Sequence, residues 1–371
     1  MNRSLGGFLR AGIGIAISVA SLAFVLRGVD LARTAQILGG AVPAWLALSV
    51  ALQGVDLSLR TLRWQRLLAP IAGVRFRRVL GYLLVGYLAN NVLPARLGEL
   101  VRSHYLGDRE GISRASALGT IVVERVVDTA VVVAIGAVAI LVLHVRGVVA
   151  SAVLVGLAIT ALLVGGLAVG IAAHRLPGAG RVMAFLDRRP RIADLGRRLH
   201  VGLAVARRPR TLAAAVGLTV LAWSASTLSF AAAGQAIGLQ LTMGQAALLA
   251  SGVALATAIP SGPGYLGTFE LAAVKVGEAV GLPNEPAFAL ALLVHASILV
   301  VTSSGGAIAF LRLGWRRSAG EVGEVARGVL DGEGFIEVAL EPDPGVTTEA
   351  PAMPAAPAMP AAPAAPGPSR P

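Results

Sequence analysis

The chain has 371 residues, 56% of them hydrophobic and only 14% charged, with a formal net charge of +12 and a mean hydropathy of +0.75. Soluble domains carry about 25% charged residues, so this composition excludes a soluble fold and predicts an integral membrane protein. Cysteine is absent, which excludes a disulfide framework, a thiolate zinc site and a thiol nucleophile.

The basic excess does not point to nucleic acid as a partner. The cations sit beside apolar runs, where the positive-inside rule places them. In chain order, Leu5 to Leu26 is the first apolar run, preceded by Arg3 and Arg10. Ala20-Ser21-Leu22-Ala23 resembles a signal-peptide cleavage site. The run is long for that and leads straight into further spans, so an uncleaved helix with a cytoplasmic N-terminus is expected. Val42 to Leu62 is the second span and carries Asp56 and Arg60 one turn apart, within pairing reach. Arg63, Arg66, Arg75, Arg77 and Arg78 then predict a cytoplasmic loop.

Val79 to Leu93 is too short to cross a hydrocarbon layer of ~30 Å as a helix. It ends at Asn90-Asn91-Val92-Leu93-Pro94-Ala95-Arg96-Leu97-Gly98-Glu99. A full crossing would also put the following arginines outside, so the stretch predicts a re-entrant hairpin entered from the cytoplasmic side. Glu99 lies three residues from both Arg96 and Arg102, within pairing reach on a helix. Ala115 to Leu143 is a span with Glu124, Arg125 and Asp128 near its cytoplasmic end. Glu124 and Asp128 share one face, with Arg125 about 100° round. Val148 to Ala172 returns inward.

The segment 175–210 is a basic cytoplasmic loop, with Leu195, Leu199, Leu203 and Val205 at near-helical spacing that suits an amphipathic helix on an anionic surface. Thr211 to Ala236 and Ala287 to Leu311 are further spans. Between them lies Ala258-Ile259-Pro260-Ser261-Gly262-Pro263-Gly264-Tyr265-Leu266-Gly267-Thr268-Phe269-Glu270. Proline and glycine free backbone groups that lipid cannot satisfy, so such a break belongs where the chain is buried in protein or lines a wet cavity. It predicts a second re-entrant hairpin, entered from outside. From Ser318 an acidic stretch gives way to Ala/Pro repeats, which predict a disordered tail over 318–371.

The expected architecture is therefore all-α and polytopic. Residues 1–317 form the membrane domain, with about six spanning helices, two re-entrant hairpins and a possible inverted repeat. Paired broken helices point to a midplane binding site, because they place free N–H and C=O groups inside the membrane. The candidate substrate-binding set is Asn91, Arg96, Glu99, Glu124, Arg125, Asp128, Pro263, Gly264 and Glu270, with Asp56 and Arg60 as weaker candidates. Lys275 and Glu278 are expected to pair with each other, and His295 to be a packed helix residue. No metal spacing, phosphate loop or nucleophile elbow is present. No metal, no cofactor and no enzymatic activity are expected.

Asn91 to Glu99, Glu124-Arg125-Val126-Val127-Asp128 and Pro260 to Glu270, in this order, resemble the lysylphosphatidylglycerol synthase transmembrane-region family, also called flippase-like domain proteins. The resemblance covers residues 1–317. It implies a bacterial-type cell-membrane protein with both termini cytoplasmic, handling an anionic phospholipid or a polyprenyl-phosphate-linked substrate between leaflets. The soluble aminoacyl-transferring domain of that family has no counterpart in this chain. Two alternatives stand beside a transporter: a scaffold that recruits a protein partner through the Pro-rich tail, and an intramembrane transferase acting on a lipid-linked sugar.

Overall fold

The structure is a computed structural model that describes residues 2–93, 97–172, 190–259, 261–314, 320, 322 and 323. Among the described residues it is all-helical. The elements are α1 (Asn2–Arg27), α2 (Leu31–Gly39), α3 (Pro43–Leu68), α4 (Phe76–Val92), α5 (Gly98–Glu110), α6 (Arg114–Leu143), α7 (Val148–Ala172), α8 (Pro190–Leu203), α9 (Pro209–Ala236), α10 (Met243–Ala256), α11 (Thr268–Ala279) and α12 (Asn284–Arg312). Pro94, Arg96, Pro260 and, apart from residues 320, 322 and 323, the expected tail lie outside the described residues.

Helices α6, α7, α9 and α12 have 30, 25, 28 and 29 residues and are apolar enough to cross a membrane. The α1–α2 pair adds a candidate span bent by 88°. Asp30 makes the bend, its carboxylate accepting the N–H groups of Ala32 (2.8 Å) and Arg33 (3.1 Å) at the start of α2. Four helices, or five with the bent pair, qualify by length and composition, against the expected count of about six. Helix α3 has the length, at 26 residues, but carries Asp56, Arg60, Arg63 and Arg66. It is held against α9 by polar contacts: Ser49 Oγ donates to the Ser229 carbonyl (3.0 Å) and Gln53 Nε2 to Ser229 Oγ (2.9 Å). Hydrogen bonds of this kind join helices where lipid offers no hydrophobic drive.

Both expected hairpins are helix–break–helix units. In the first, α4 and α5 fold onto each other so closely that a Cβ on Gly98 would stand 2.2 Å from the Gly86 carbonyl oxygen. Asn90 Oδ1 accepts the Gly98 N–H at 2.8 Å and so caps the buried start of α5. In the second, α10 and α11 flank a break from Thr257 to Gly267. Helix α1 braces that break: Gly14 lies under the Ser261 carbonyl, and Ser18 Oγ accepts the Gly262 N–H at 2.9 Å. Gly267 (φ 85°) passes so close to the Ser18 carbonyl that any Cβ would collide. The second break touches the end of α4, for a Cβ on Gly264 would lie 3.7 Å from the Asn91 carbonyl oxygen.

Two expectations change. Arg63 and Arg66 do not belong to a loop, because α3 continues to Leu68 and buries Arg63 completely. The helical spacing around Leu199 does form a helix, α8, but one seated on α6 rather than free on a membrane surface. Gly202 and Gly119 pack backbone to backbone there, and Ser116 Oγ donates to the Arg198 carbonyl at 2.9 Å.

Candidate functional site

A cavity of about 400 Å³ lies between α3, α4, α6, α9, α12 and the two breaks. Its polar end is built from one face of α3: Asp56, Arg60 and Arg63, spaced four and three residues apart, point the same way. Arg60 Nε bridges both oxygens of Asp56 (2.9 and 2.8 Å), while Arg60 Nη1 reaches Asp128 Oδ1 at 3.2 Å. Arg63 joins Asp128 (2.6 Å) to Glu124 (2.9 Å). Arg102, from α5, takes the other Glu124 oxygen at 2.7 Å and stacks over Trp64 at 4.0 Å. Trp223 Nε1 donates to Asp128 at 3.3 Å, and its ring lies 4.7 Å from the Arg60 guanidinium.

Within this network the arginines are not equivalent. Arg63 and Arg102 have side chains 0% and 3% exposed and use their Nη groups inside the protein, on Glu124 and, for Arg63, on Asp128 and Thr219 as well. Arg125 is 41% exposed, lines the cavity, and gives only Nη2 to Glu124 (3.0 Å). Its Nε, like those of Arg63 and Arg102, is buried without a hydrogen-bond partner among the described residues. What sets Arg125 apart is the exposed end of its guanidinium, which presents charged N–H donors to the cavity, groups from which a phosphate oxyanion accepts. Four arginines meet three carboxylates in the cluster, and Glu99 on the cavity wall supplies a fourth.

The other end of the cavity is the second break. Tyr265, Phe269 and His295 line it. Glu270 does not face the cavity: one of its oxygens accepts the Gly267 N–H (2.6 Å) and the other meets His295 Nδ1 (2.6 Å). His295 Nε2 donates to the Gly264 carbonyl at 2.8 Å, and Phe269 stacks on the ring at 4.2 Å. Apolar side chains, among them Val132, Phe230, Val253 and Leu299, form the wall between the two ends.

Of the sequence candidates, Asn91, Glu99, Arg125 and Asp128 line this one cavity. Asn91 Nδ2 is also tied to Thr302 (2.9 Å) and Ser303 (3.0 Å). Glu124 sits behind the wall, fully buried and filled by three arginines. Pro263 and Gly264 shape the tip, and Glu270 locks it. Arg96 lies outside the described residues. The expected Glu99–Arg102 pair does not form, because Arg102 turns to Glu124 across the α5–α6 interface. Sequence reasoning missed Arg63 and gave His295 no role; the first signal was the repeated spacing Asp56, Arg60, Arg63 on one helical face. The Asp56–Arg60 and Lys275–Glu278 pairs form as expected, each at 2.8 Å.

Comparison with known proteins matches residues 12–306 to the family described as Lysylphosphatidylglycerol synthase TM region. The Glycosyltransferase AglD of Haloferax volcanii is 27% identical over 339 residues, covering 81% of this chain and 54% of that protein. A UPF0104 membrane protein of Methanothermobacter thermautotrophicus is 32% identical over 123 residues, 32% of this chain and 36% of that protein. One from Methanocaldococcus jannaschii is 27% identical over 125 residues, 33% and 37%. The chain thus spans about half of the first relative and little more than a third of the other two. The expectation that the chain is not an enzyme is overturned by the first of these, which is named as a glycosyltransferase. That expectation rested on motif spacing along the chain, whereas the fold gathers Asp56, Glu99 and Asp128 from three helices into one cavity.

Proposed function

The chain belongs to the lysylphosphatidylglycerol synthase TM region family, and from that premise we propose that it carries a phospholipid or lipid-linked, phosphate-bearing substrate between the leaflets of the cell membrane. The observation that carries this reading is the 41% exposed Arg125 guanidinium in a cavity lined by the second break and by Asn91 and Glu99 on either side of the first. Arg125, with Arg60 beside it, takes the phosphate; Glu99 and Asp128 accept donors from the rest of the head group. The apolar wall formed by Val132, Phe230 and Leu299 receives the start of the acyl or prenyl chain. Breaks in corresponding helices supply unpaired backbone dipoles at such a site. The arginine-rich loops support cytoplasmic termini by the positive-inside rule.

The test is leaflet transfer in reconstituted liposomes, with labelled phospholipids and labelled polyprenyl-phosphate sugars in separate arms. Transfer of one class by the unmodified protein, lost in Arg125→Ala, is the expected result. No transfer of either class, with the unmodified protein indistinguishable from Arg125→Ala, removes the proposal.

The name of the Haloferax volcanii relative favours a second reading, in which the same cavity takes part in a transfer reaction on a lipid-linked sugar. Asp56, Glu99 and Asp128 are the carboxylates available to it. Incubating purified protein with a labelled lipid-linked sugar and following loss of the sugar from the lipid separates the two readings: turnover without leaflet transfer selects the second.

A further inference from the structure

The hydrogen bonds around His295 fix its proton content. The Gly264 carbonyl only accepts, so His295 Nε2 must carry a hydrogen. Glu270 Oε2 accepts the Gly267 N–H. The remaining contact, Nδ1 to Glu270 Oε1 at 2.6 Å, then needs one further proton, placed either on the ring nitrogen or on the carboxyl. Without it, a nitrogen lone pair and a carboxylate oxygen would face each other at that distance. Both side chains are buried, 3% and 2% exposed, so water does not relieve that repulsion.

The pair is also the mechanical support of the hairpin tip. Gly264 and Tyr265 both have left-handed backbones (φ 64° and 59°), a conformation that Tyr265 adopts only when its surroundings impose it. His295 holds the Gly264 carbonyl, Glu270 holds the Gly267 N–H, and Gly264 rests on Asn91 and Leu299. His295 lines the cavity, which gives the proton a path to and from water.

We propose that Glu270 and His295 together form a proton-binding site that clamps the second hairpin tip onto the end of α4 while it is occupied and releases it when the proton leaves through the cavity. On departure the ring keeps Nε2–H and Glu270 becomes a bare carboxylate. One of the two must then move, and either movement frees an end of the tip. The proton is in this way coupled to the contact between the second break and the end of α4, and so to access to the Arg125 end. The coupling to transport rests on the reading proposed above; the proton site does not.

The ionisable neighbours are few. Helices α7 and α10 carry none, α9 has only Arg210, and α1 from residue 12 onward has only Arg27. On α11, Lys275 and Glu278 pair with each other at the surface. On α12, no ionisable residue lies between Glu285 and Arg312 apart from His295. Tyr265 stands in the tip itself, and Tyr87, Asp56, Arg60, Glu99, Arg125 and Asp128 face the pair across the cavity. Arg33 on α2 and Arg77, Arg78 and Tyr82 on α4 complete the ionisable groups of the elements packed on α12, with Arg63 and Arg66 on α3.

The naturally cysteine-free chain makes the test direct. Leu299→Cys places a thiol beneath the tip, since Leu299 lies 3.5 Å from a Cβ on Gly264. Maleimide labelling in proteoliposomes is normalised to Arg146→Cys in the α6–α7 turn, which removes the thiol's own pH dependence. With the pH raised stepwise from about 5 to about 8, normalised labelling is expected to rise several-fold. In a Glu270→Gln background it should stay at the low-pH rate throughout, because the glutamine amide gives Nδ1 a donor that no pH removes. In His295→Phe it should stay at the high-pH rate. Lys275→Ala, at the surface of α11, should retain the rise. Flat labelling in the unmodified background, an unchanged rise in Glu270→Gln, or loss of the rise in Lys275→Ala overturns the proposal. Leaflet transfer is measured in parallel on the unmodified, cysteine-free protein. A pH-dependent tip with no transfer of labelled lipid removes the transport reading and leaves the proton site; intact transfer with a flat tip removes the proton site alone.

Discussion

Two helix–break–helix units border one cavity, yet they are fastened by opposite means. The first is held by groups whose state does not change: the Asn90 amide on Gly98, Asn91 on Thr302 and Ser303, and Arg102 on the buried Glu124. Arginine keeps its charge at every working pH. The second is held by one histidine and one glutamate that must share a proton. One end of the cavity is therefore a fixed floor, and the other a conditional roof. On the transport reading proposed above, the rigid element would be the floor and the bistable one the roof.

The largest effect should come from cutting the floor. Glu124→Ala leaves Arg63, Arg102 and Arg125 without their common anion, and breaking a buried ion pair by removing one partner costs about 3–5 kcal/mol. Loss of monodisperse protein, or a large drop in unfolding temperature in nanodiscs, is the expected outcome. Glu270→Ala should cost less, about 1–3 kcal/mol, because the histidine left behind is able to remain neutral. Equal damage from the two would erase the contrast between floor and roof.

Glycine substitutions test the same ranking at the backbone. Gly98→Ala drives a Cβ into the Gly86 carbonyl and the Asn90 side chain at 2.2 and 2.7 Å, an overpacking that costs about 1–3 kcal/mol. Gly264→Ala has room, with its nearest neighbour at 3.5 Å, and bears chiefly the left-handed backbone cost of about 1–2 kcal/mol. Chemical unfolding in one detergent compares the two directly, and the Gly98 variant should be the less stable.

Arg125→Ala should separate function from stability. Glu124 keeps Arg63 and Arg102, so unfolding should shift by no more than about 1 kcal/mol, as for other part-exposed ion pairs. Binding of an anionic head group, read by fluorescence quenching with a labelled lipid, should fall about tenfold or more, since charge-assisted hydrogen bonds contribute about 1.5–3 kcal/mol.

The breaks were legible in the sequence because proline, glycine and paired asparagines interrupt apolar runs, which lipid does not tolerate without a structural reason. The Asp56–Arg60 pair was legible because one helical turn fixes it. Arg63 was not: its partners Glu124 and Asp128 lie 61 and 65 residues away. An arginine after an apolar run also has the appearance of a topogenic loop residue. His295 and Glu270 were each visible, but their bond joins two helices across 25 residues, and nothing in local spacing reports it. Helical spacing suggested Glu99 with Arg102; packing of α5 against α6 gave Arg102 a better partner and left Glu99 on the cavity wall.

The smallest expected effect is the most exacting check on the conditional roof. Lys275 and Glu278 form the other ionic pair of α11, with side chains 46% and 38% exposed. Removing it with Lys275→Ala should cost about 0.2–1 kcal/mol, less in high salt, as surface pairs do. It should leave the pH response beneath the tip unchanged, because the pair touches neither Gly264 nor Gly267. If Lys275→Ala shifted that response as strongly as Glu270→Gln, the general field along α11 would set the tip, and not a proton held at one bond. The second break would then be no more conditional than the first. An unchanged response places the switch where the hydrogen bonds put it, on the 2.6 Å contact between Glu270 and His295.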